Sequence, residues 1–171
     1  DFERNNFPFP GAAEKSAENL KKAIKLDPKN SIVNTTKFWI DLDKGDAISS
    51  QVLAEESIRS NPNEPWAIAT YGWYLIINNI DQNKGKEYAD KALQYCEHPQ
   101  GWYYWSFVEY HRLKGDYKES LKFMLKTSSQ QNDWYYIHVA SCNWLIGNKE
   151  TAINTYKELL EKTPNFNIKN Y

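Results

Sequence analysis

Apolar and polar positions fall in helix-length blocks whose register repeats along the chain. Segments beginning at Ser31, Pro65, Gly101 and Asp133 align as equivalent helix starts. In that alignment the second position is Ile32, Trp66, Trp102 and Trp134, and the ninth is Trp39, Trp73, Glu109 and Ser141. Positions two, five, nine and twelve share one stripe of a helix with about 3.6 residues per turn, and Trp105, Arg112, His138 and Trp144 extend it. Positions seven, eight and eleven carry packing residues such as Tyr71, Leu75, Phe107 and Val108. Carboxylates concentrate in the intervening segments, at Glu55, Glu56, Glu119, Glu158 and Glu161, where lysines such as Lys122 and Lys162 make a solvated face.

The punctuation between blocks also repeats. Gly115-Asp116-Tyr117-Lys118-Glu119-Ser120-Leu121 recurs as Gly147-Asn148-Lys149-Glu150-Thr151-Ala152-Ile153, and Gly45-Asp46-Ala47-Ile48 is a looser copy. Pro28, Pro62 and Pro164 stand where helices cannot continue. Trp102-Tyr103-Tyr104-Trp105 matches Trp134-Tyr135-Tyr136-Ile137. The pattern predicts a lone helix at 12–27 and four helix pairs at about 31–60, 65–97, 101–129 and 133–163, which makes nine helices. Residues 1–11 read as an extended segment, because Phe7-Pro8-Phe9-Pro10-Gly11 is incompatible with a helix, and 165–171 as a tail. One pair departs from the pattern: Asn78 to Asn83 replaces the Gly-Asp turn, and Gly85 falls inside the following helix.

Tyr71-Gly72, Gly115-Asp116-Tyr117, Ala23, Ala152 and the three prolines sit where the tetratricopeptide repeat carries its signature residues, and over about residues 12–164 the chain resembles that family. The resemblance implies an all-α, right-handed superhelix stabilised by stacking of neighbouring repeats. It also implies that first helices line a concave groove that binds a protein or peptide partner. Carried onto this chain, the groove residues are Trp39, Trp66, Trp73, Trp102, Trp105, Glu109, Arg112, Trp134, His138 and Trp144. The alternative for any of these rings is packing between repeats, since aromatic side chains bury large areas. The groove charge is mixed, with Glu109, Arg112 and Asp43 as candidates, and no Lys/Arg cluster resembles the clamp of the chaperone-binding members. More loosely, His98-Pro99-Gln100-Gly101-Trp102-Tyr103 and Arg112-Leu113-Lys114-Gly115-Asp116-Tyr117 look like the repeat domains of bacterial signalling regulators.

Composition narrows the remaining classes. The 21 basic and 22 acidic side chains leave a formal charge of −1, which argues against nucleic acid as a partner. With 171 residues and 41% hydrophobic content the chain can build a core without staples. Its longest apolar run, roughly Tyr74 to Ile77, is far shorter than the ~20 residues of a membrane helix. Cys96 and Cys142 form no C-x-x-C pair, and His98, His111 and His138 lie in different repeats without metal-ligand spacing, so they read as surface or packing residues. Nucleotide-cradling and nucleophile-elbow motifs are absent, so neither a cofactor nor catalysis is expected. Asn34-Thr35-Thr36 is a sequon of the kind that arises often by chance. Asp1-Phe2-Glu3-Arg4 has neither an initiator Met nor a leader pattern, which reads as an excised piece of a larger regulatory or scaffolding protein, its compartment open between cytoplasm and periplasm. The leading expectation is a protein-interaction module. Self-association through the lone helix, giving a homodimer, is the alternative, and a helical-repeat enzyme subunit the more distant one.

Overall fold

In the computed structural model residues 12–127 and 132–167 are described. They form nine α-helices: α1 (Ala12–Leu26), α2 (Ser31–Asp43), α3 (Ala47–Ser60), α4 (Pro65–Ile77), α5 (Gln82–Tyr95), α6 (Trp105–Leu113), α7 (Tyr117–Lys126), α8 (Asp133–Leu145) and α9 (Lys149–Lys162). No strand occurs among the described residues. The all-α, nine-helix expectation is met. The segment 1–11, the helix end expected at 129 and residues 168–171 lie outside the described residues. The chain divides into two compact units, Asp1–Glu97 with α1 to α5 and His98–Tyr171 with α6 to α9.

The same chemistry closes the turn inside three of the four helix pairs. Asp46, Asp81 and Asp116 each accept a hydrogen bond from the backbone N–H three residues on, at 3.0 Å from Ser49, 2.9 Å from Lys84 and 3.3 Å from Glu119. These carboxylates satisfy donors that the first helical turn leaves open. Asn148 holds the equivalent place before α9 without a side-chain cap bond. Asp116→Ala is therefore expected to cost about 1 kcal/mol in urea denaturation, and Asn148→Ala a few tenths at most. Equal losses at the two sites would contradict this account of the caps.

The residue ahead of three of these caps is a glycine with positive φ, +78° at Gly45, +78° at Gly115 and +91° at Gly147. The irregular turn between α4 and α5 solves the same problem with Asn79 at φ +53°, two residues before Asp81 instead of one. Asparagine is among the few side chains that tolerate this region. The departure in sequence is thus one extra residue with the same backbone reversal.

Four residues after every cap stands a small, buried residue: Ser50, Gly85, Ser120 and Ala152. In two pairs it meets the carbonyl at position eight of the first helix. Ser120 donates its hydroxyl to the Val108 carbonyl at 2.9 Å, and Gly85 lies directly against Gly72. In the first unit the core is Phe38, Leu53, Ala54 and Tyr74, with Trp39, Leu42, Tyr71 and Trp73 packed on it. In the second unit Phe107, Val108, Met124, Tyr136, Cys142 and Leu159 are buried.

One register expectation changes. Gly101–Tyr104 is a 3-10 turn, and the α-helix starts only at Trp105. Gln100 caps this turn without a side-chain hydrogen bond, and Trp102 stacks on its neighbour Tyr103 with centroids 4.0 Å apart. Trp102 therefore stands ahead of the α-helix and not within it. No described helix is long and apolar enough to cross a membrane.

Candidate functional site

The sequence-predicted residues separate into two groups, one in each unit. In the first unit, Trp39 of α2 and Trp73 of α4 meet with ring centroids 5.0 Å apart at 36°. The Trp39 indole N–H donates to the Thr70 hydroxyl at 3.3 Å, and Phe38 packs edge-on to Trp39 at 5.1 Å. Both rings are half-buried on the core, so packing accounts for much of their area. Trp66 follows the N1 proline of α4 and is half-buried.

The second unit brings Trp105, Glu109, Arg112, Trp134 and His138 together. Glu109 of α6 is only 7% exposed, and its two oxygens are divided between two partners. Arg112 donates Nε at 2.8 Å and Nη2 at 2.6 Å to Oε2, whereas His138 Nε2 lies 2.6 Å from Oε1. His138 of α8 is 5% exposed, and its Nδ1 lies 2.9 Å from the Trp134 carbonyl one turn earlier. The histidine ring is flanked by Trp105 at 5.6 Å, edge-on, and by Trp134 at 5.7 Å. Burial alone would push the Glu109 carboxyl up, but the His138 hydrogen bond and the charges of His138 and Arg112 outweigh it and hold the group below its ordinary value. The result is a rigid, charge-paired base on which Trp134 keeps 46% of its surface in solvent.

The remaining predicted residues have other partners. Trp102 occupies the 3-10 turn, half-buried, with its indole N–H on the Gln100 side-chain oxygen at 3.2 Å. Trp144, 52% exposed, has the Lys149 ammonium 5.3 Å above its ring. The Asp43 side chain lies outside the described residues.

Sequence reasoning missed the Glu109–His138 pair: it set both residues among the groove positions, and otherwise read the histidines as surface or packing residues, without joining the two. A signal was present in the alignment. Position nine is tryptophan in the two preceding first helices and glutamate at 109, and an acid in a column of large buried rings needs a partner. Arg112 on the same helix and His138, at position six of the next first helix, are the ionisable side chains that reach it.

Other chemistry is accounted for locally. Burial, more than any other influence, pushes the Cys142 thiol up and leaves it a poor nucleophile, and Ser120 Oγ lies 3.9 Å from its sulfur. Among the described residues no group of three or more His, Cys, Asp or Glu side chains is placed to hold a metal. A cavity of about 260 Å³ lies where α2 and α4 begin and α3 ends, lined by residues that include Asp27, Asn30 and Glu64. Two of its polar side chains serve as helix caps: Asn30 caps α2 through Ile32 and Val33, and Glu64 caps α4 through Ala67.

No protein-family model and no curated protein sequence matches the chain. Solved structures do. A type IV pilus biogenesis factor, PilW, superposes with a TM-score of 0.69 at 16% identity, covering 90% of this chain and 71% of PilW. A tetratricopeptide repeat protein from Parabacteroides merdae gives 0.63 at 15% identity, over 88% of this chain and 59% of that one. YrrB, a tetratricopeptide-repeat protein described as having an unusual peptide-binding site, gives 0.58 at 12% identity, over 85% and 75% of the two chains. Identities this low speak to architecture alone. Repeated capped helix pairs, small residues at each pair's contact and these superpositions agree: the chain has the tetratricopeptide-repeat fold.

Proposed function

We propose that this chain is a protein-interaction module that holds a peptide or protein partner against the faces of its first helices, with the α6–α8 cluster as the principal contact. The observation that carries this reading is Trp134: a large ring, 46% exposed, standing on a base that Glu109, Arg112 and His138 lock in place. Tryptophan and arginine dominate the hot spots of protein interfaces, and a ring already fixed in position loses little entropy on binding. Arg112, with its side chain 39% exposed, adds a half-open guanidinium beside the same carboxylate. Likeness in fold to YrrB and its peptide-binding site supports the class of ligand.

Selection of a displayed random-peptide library on the immobilised chain tests the proposal. Selected peptides are expected to lose about 10- to 100-fold in affinity for Trp134→Ala, with the melting temperature moved by no more than about 3 °C. The double substitution of Trp102 and Trp134 by Ala is expected to weaken binding no further than Trp134→Ala alone. Substantial loss of thermal stability with unchanged peptide affinity would make Trp134 a packing residue and remove the basis of the assignment.

A further inference from the structure

We infer that the α6–α8 cluster selects a proline-rich extended segment, one that brings backbone carbonyls and pyrrolidine rings but few backbone N–H groups. The inference rests on the interaction-module reading above and names the chemistry of its ligand. It starts from what the five clustered side chains leave open. Both Glu109 oxygens are taken, Oε2 by Arg112 and Oε1 by His138, and the other His138 nitrogen faces the Trp134 carbonyl. Among the described residues nothing pairs with the Arg112 Nη1 group, on a side chain 39% exposed, or with the indole N–H of the half-buried Trp105. The Trp134 ring adds an open apolar face beside them. Guanidinium and indole groups only donate, so the polar capacity left to a ligand is all of one kind.

A ligand for such a surface needs acceptors, and its own donors work against it. An ordinary extended peptide carries one N–H for every carbonyl, and an N–H turned onto the cluster leaves water without gaining a partner. Proline has no backbone N–H, and a run of prolines is already extended as a polyproline II helix, so little conformational freedom is lost on binding. Its rings offer the apolar surface that aromatic-lined grooves for proline-rich segments receive. The spacing agrees. Trp105 and Arg112 stand on one face of α6, two turns apart, hence about 10 Å along its axis. Three residues of polyproline II advance about 9 Å. A proline seated against Trp105 and Trp134 therefore sets a carbonyl one polyproline turn further along, at the level of Arg112.

Charge separates this ligand from its main competitor, a carboxylate. Glu109 already balances the Arg112 guanidinium at 2.6 Å, so an acidic side chain at Nη1 would stand across one guanidinium from a buried like charge. A neutral carbonyl takes the same N–H groups without that repulsion. The tryptophan pair of the first unit differs in this respect, because both rings pack on the core and the Trp39 N–H already donates to Thr70.

The test titrates the full chain with three terminally blocked probes of about ten residues: polyproline, alternating Gly-Ser and alternating Gly-Glu. Polyproline is expected to bind at least about tenfold more tightly than either of the others. Its affinity is expected to fall about tenfold in Trp134→Ala and about fivefold in Arg112→Met. In nitrogen-15 spectra the indole N–H signals of Trp105 and Trp134, assigned from Trp→Phe variants, are expected to shift as polyproline is added. These signals in the wild-type chain locate the probe should Arg112→Met fail to fold. Polyproline bound no more tightly than Gly-Ser, Gly-Glu bound most tightly, or indole signals that ignore polyproline would each overturn the inference. Peptides selected from the displayed library are expected to carry prolines about three residues apart. Selected peptides without proline would overturn the inference and leave the interaction-module reading in place. A library that yields nothing would count against that reading, with the polyproline titration still deciding the ligand.

Discussion

Alanine at Gly85 is expected to lower the melting temperature by about 10 °C. A Cβ built there lies 2.6 Å from the backbone carbonyl oxygen of Gly72 and 2.6 Å from Ile76 Cγ1. The reciprocal Cβ at Gly72 lies 2.7 Å from the Gly85 carbonyl oxygen and 3.0 Å from Tyr88 Cβ. Helices α4 and α5 thus touch backbone to backbone, and no flexible side-chain end can swing aside. Relief requires the helices to separate, which strips contacts from Ile76 and Ala89 on either side, both buried. Overpacking of this kind costs about 3 kcal/mol. The turn glycines provide the control. At Gly45, Gly115 and Gly147 an added Cβ meets nothing within 4 Å, so alanine there pays only for the left-handed backbone, about 1 kcal/mol. Calorimetry on Gly85→Ala and Gly115→Ala separates the two causes. Similar shifts would mean that the α4–α5 contact yields easily and that conformational freedom is all glycine supplies at either place.

The fold was legible because its determinants are local and repeated. Gly45-Asp46, Gly115-Asp116 and the proline stops are read by backbone geometry alone, one residue at a time, and each copy supports the others. Gly72 stands at a signature position of the repeat, but its partner carries no such mark. In the linear sequence Gly85 looks like a weak point inside a helix, and it becomes intelligible only when cap position plus four is compared across Ser50, Gly85, Ser120 and Ala152. Trp102 shows the opposite failure. Its match to Trp134 in a repeated string is real, yet the chain at Gly101–Tyr104 winds as a 3-10 turn, and equal letters then project from unequal backbones. The groove stripe was a statement about angles around a helix axis. It loses meaning wherever the axis starts late.

The site was less legible for a different reason. Which of two aromatic roles a ring takes depends on what lies opposite, and spacing carries no information about that. Trp73 and Trp144 hold neighbouring positions of the same repeat pattern, yet Trp73 packs on the core of its unit while Trp144 stays 52% exposed beneath a lysine. The pairing of Glu109 with His138 joins residues on different helices, 29 apart in sequence. Pairwise chemistry across repeats is visible only when each unusual letter in a repeat column is asked for its partner.

Glu109→Ala should cost about 3 kcal/mol at neutral pH, against about 1 kcal/mol for Arg112→Ala. The difference follows from what each truncation leaves behind. Without Glu109, the buried His138 ring loses its contact at Nε2, and Arg112 loses its carboxylate as well. Without Arg112, a carboxylate still paired with His138 is left, and the missing group was 39% exposed and partly solvated to begin with. The pH dependence carries a definite sign. Burial raises the Glu109 carboxyl, but His138 and Arg112 together hold it below its ordinary value, so its charge stabilises the folded chain above the unfolded carboxylate range near pH 4.3, and that contribution is lost as pH falls through the lower folded value. Wild type should therefore lose stability in acid faster than Glu109→Ala, and the gap between them should narrow below about pH 4. Glu109→Gln, which keeps the shape and one acceptor, should fall between the two at neutral pH. Urea titrations of the three proteins at about pH 7, 5 and 3 read this directly. A gap that stays constant over that range would mean that the carboxylate contributes by filling space between α6 and α8, and that its charge contributes nothing to the fold.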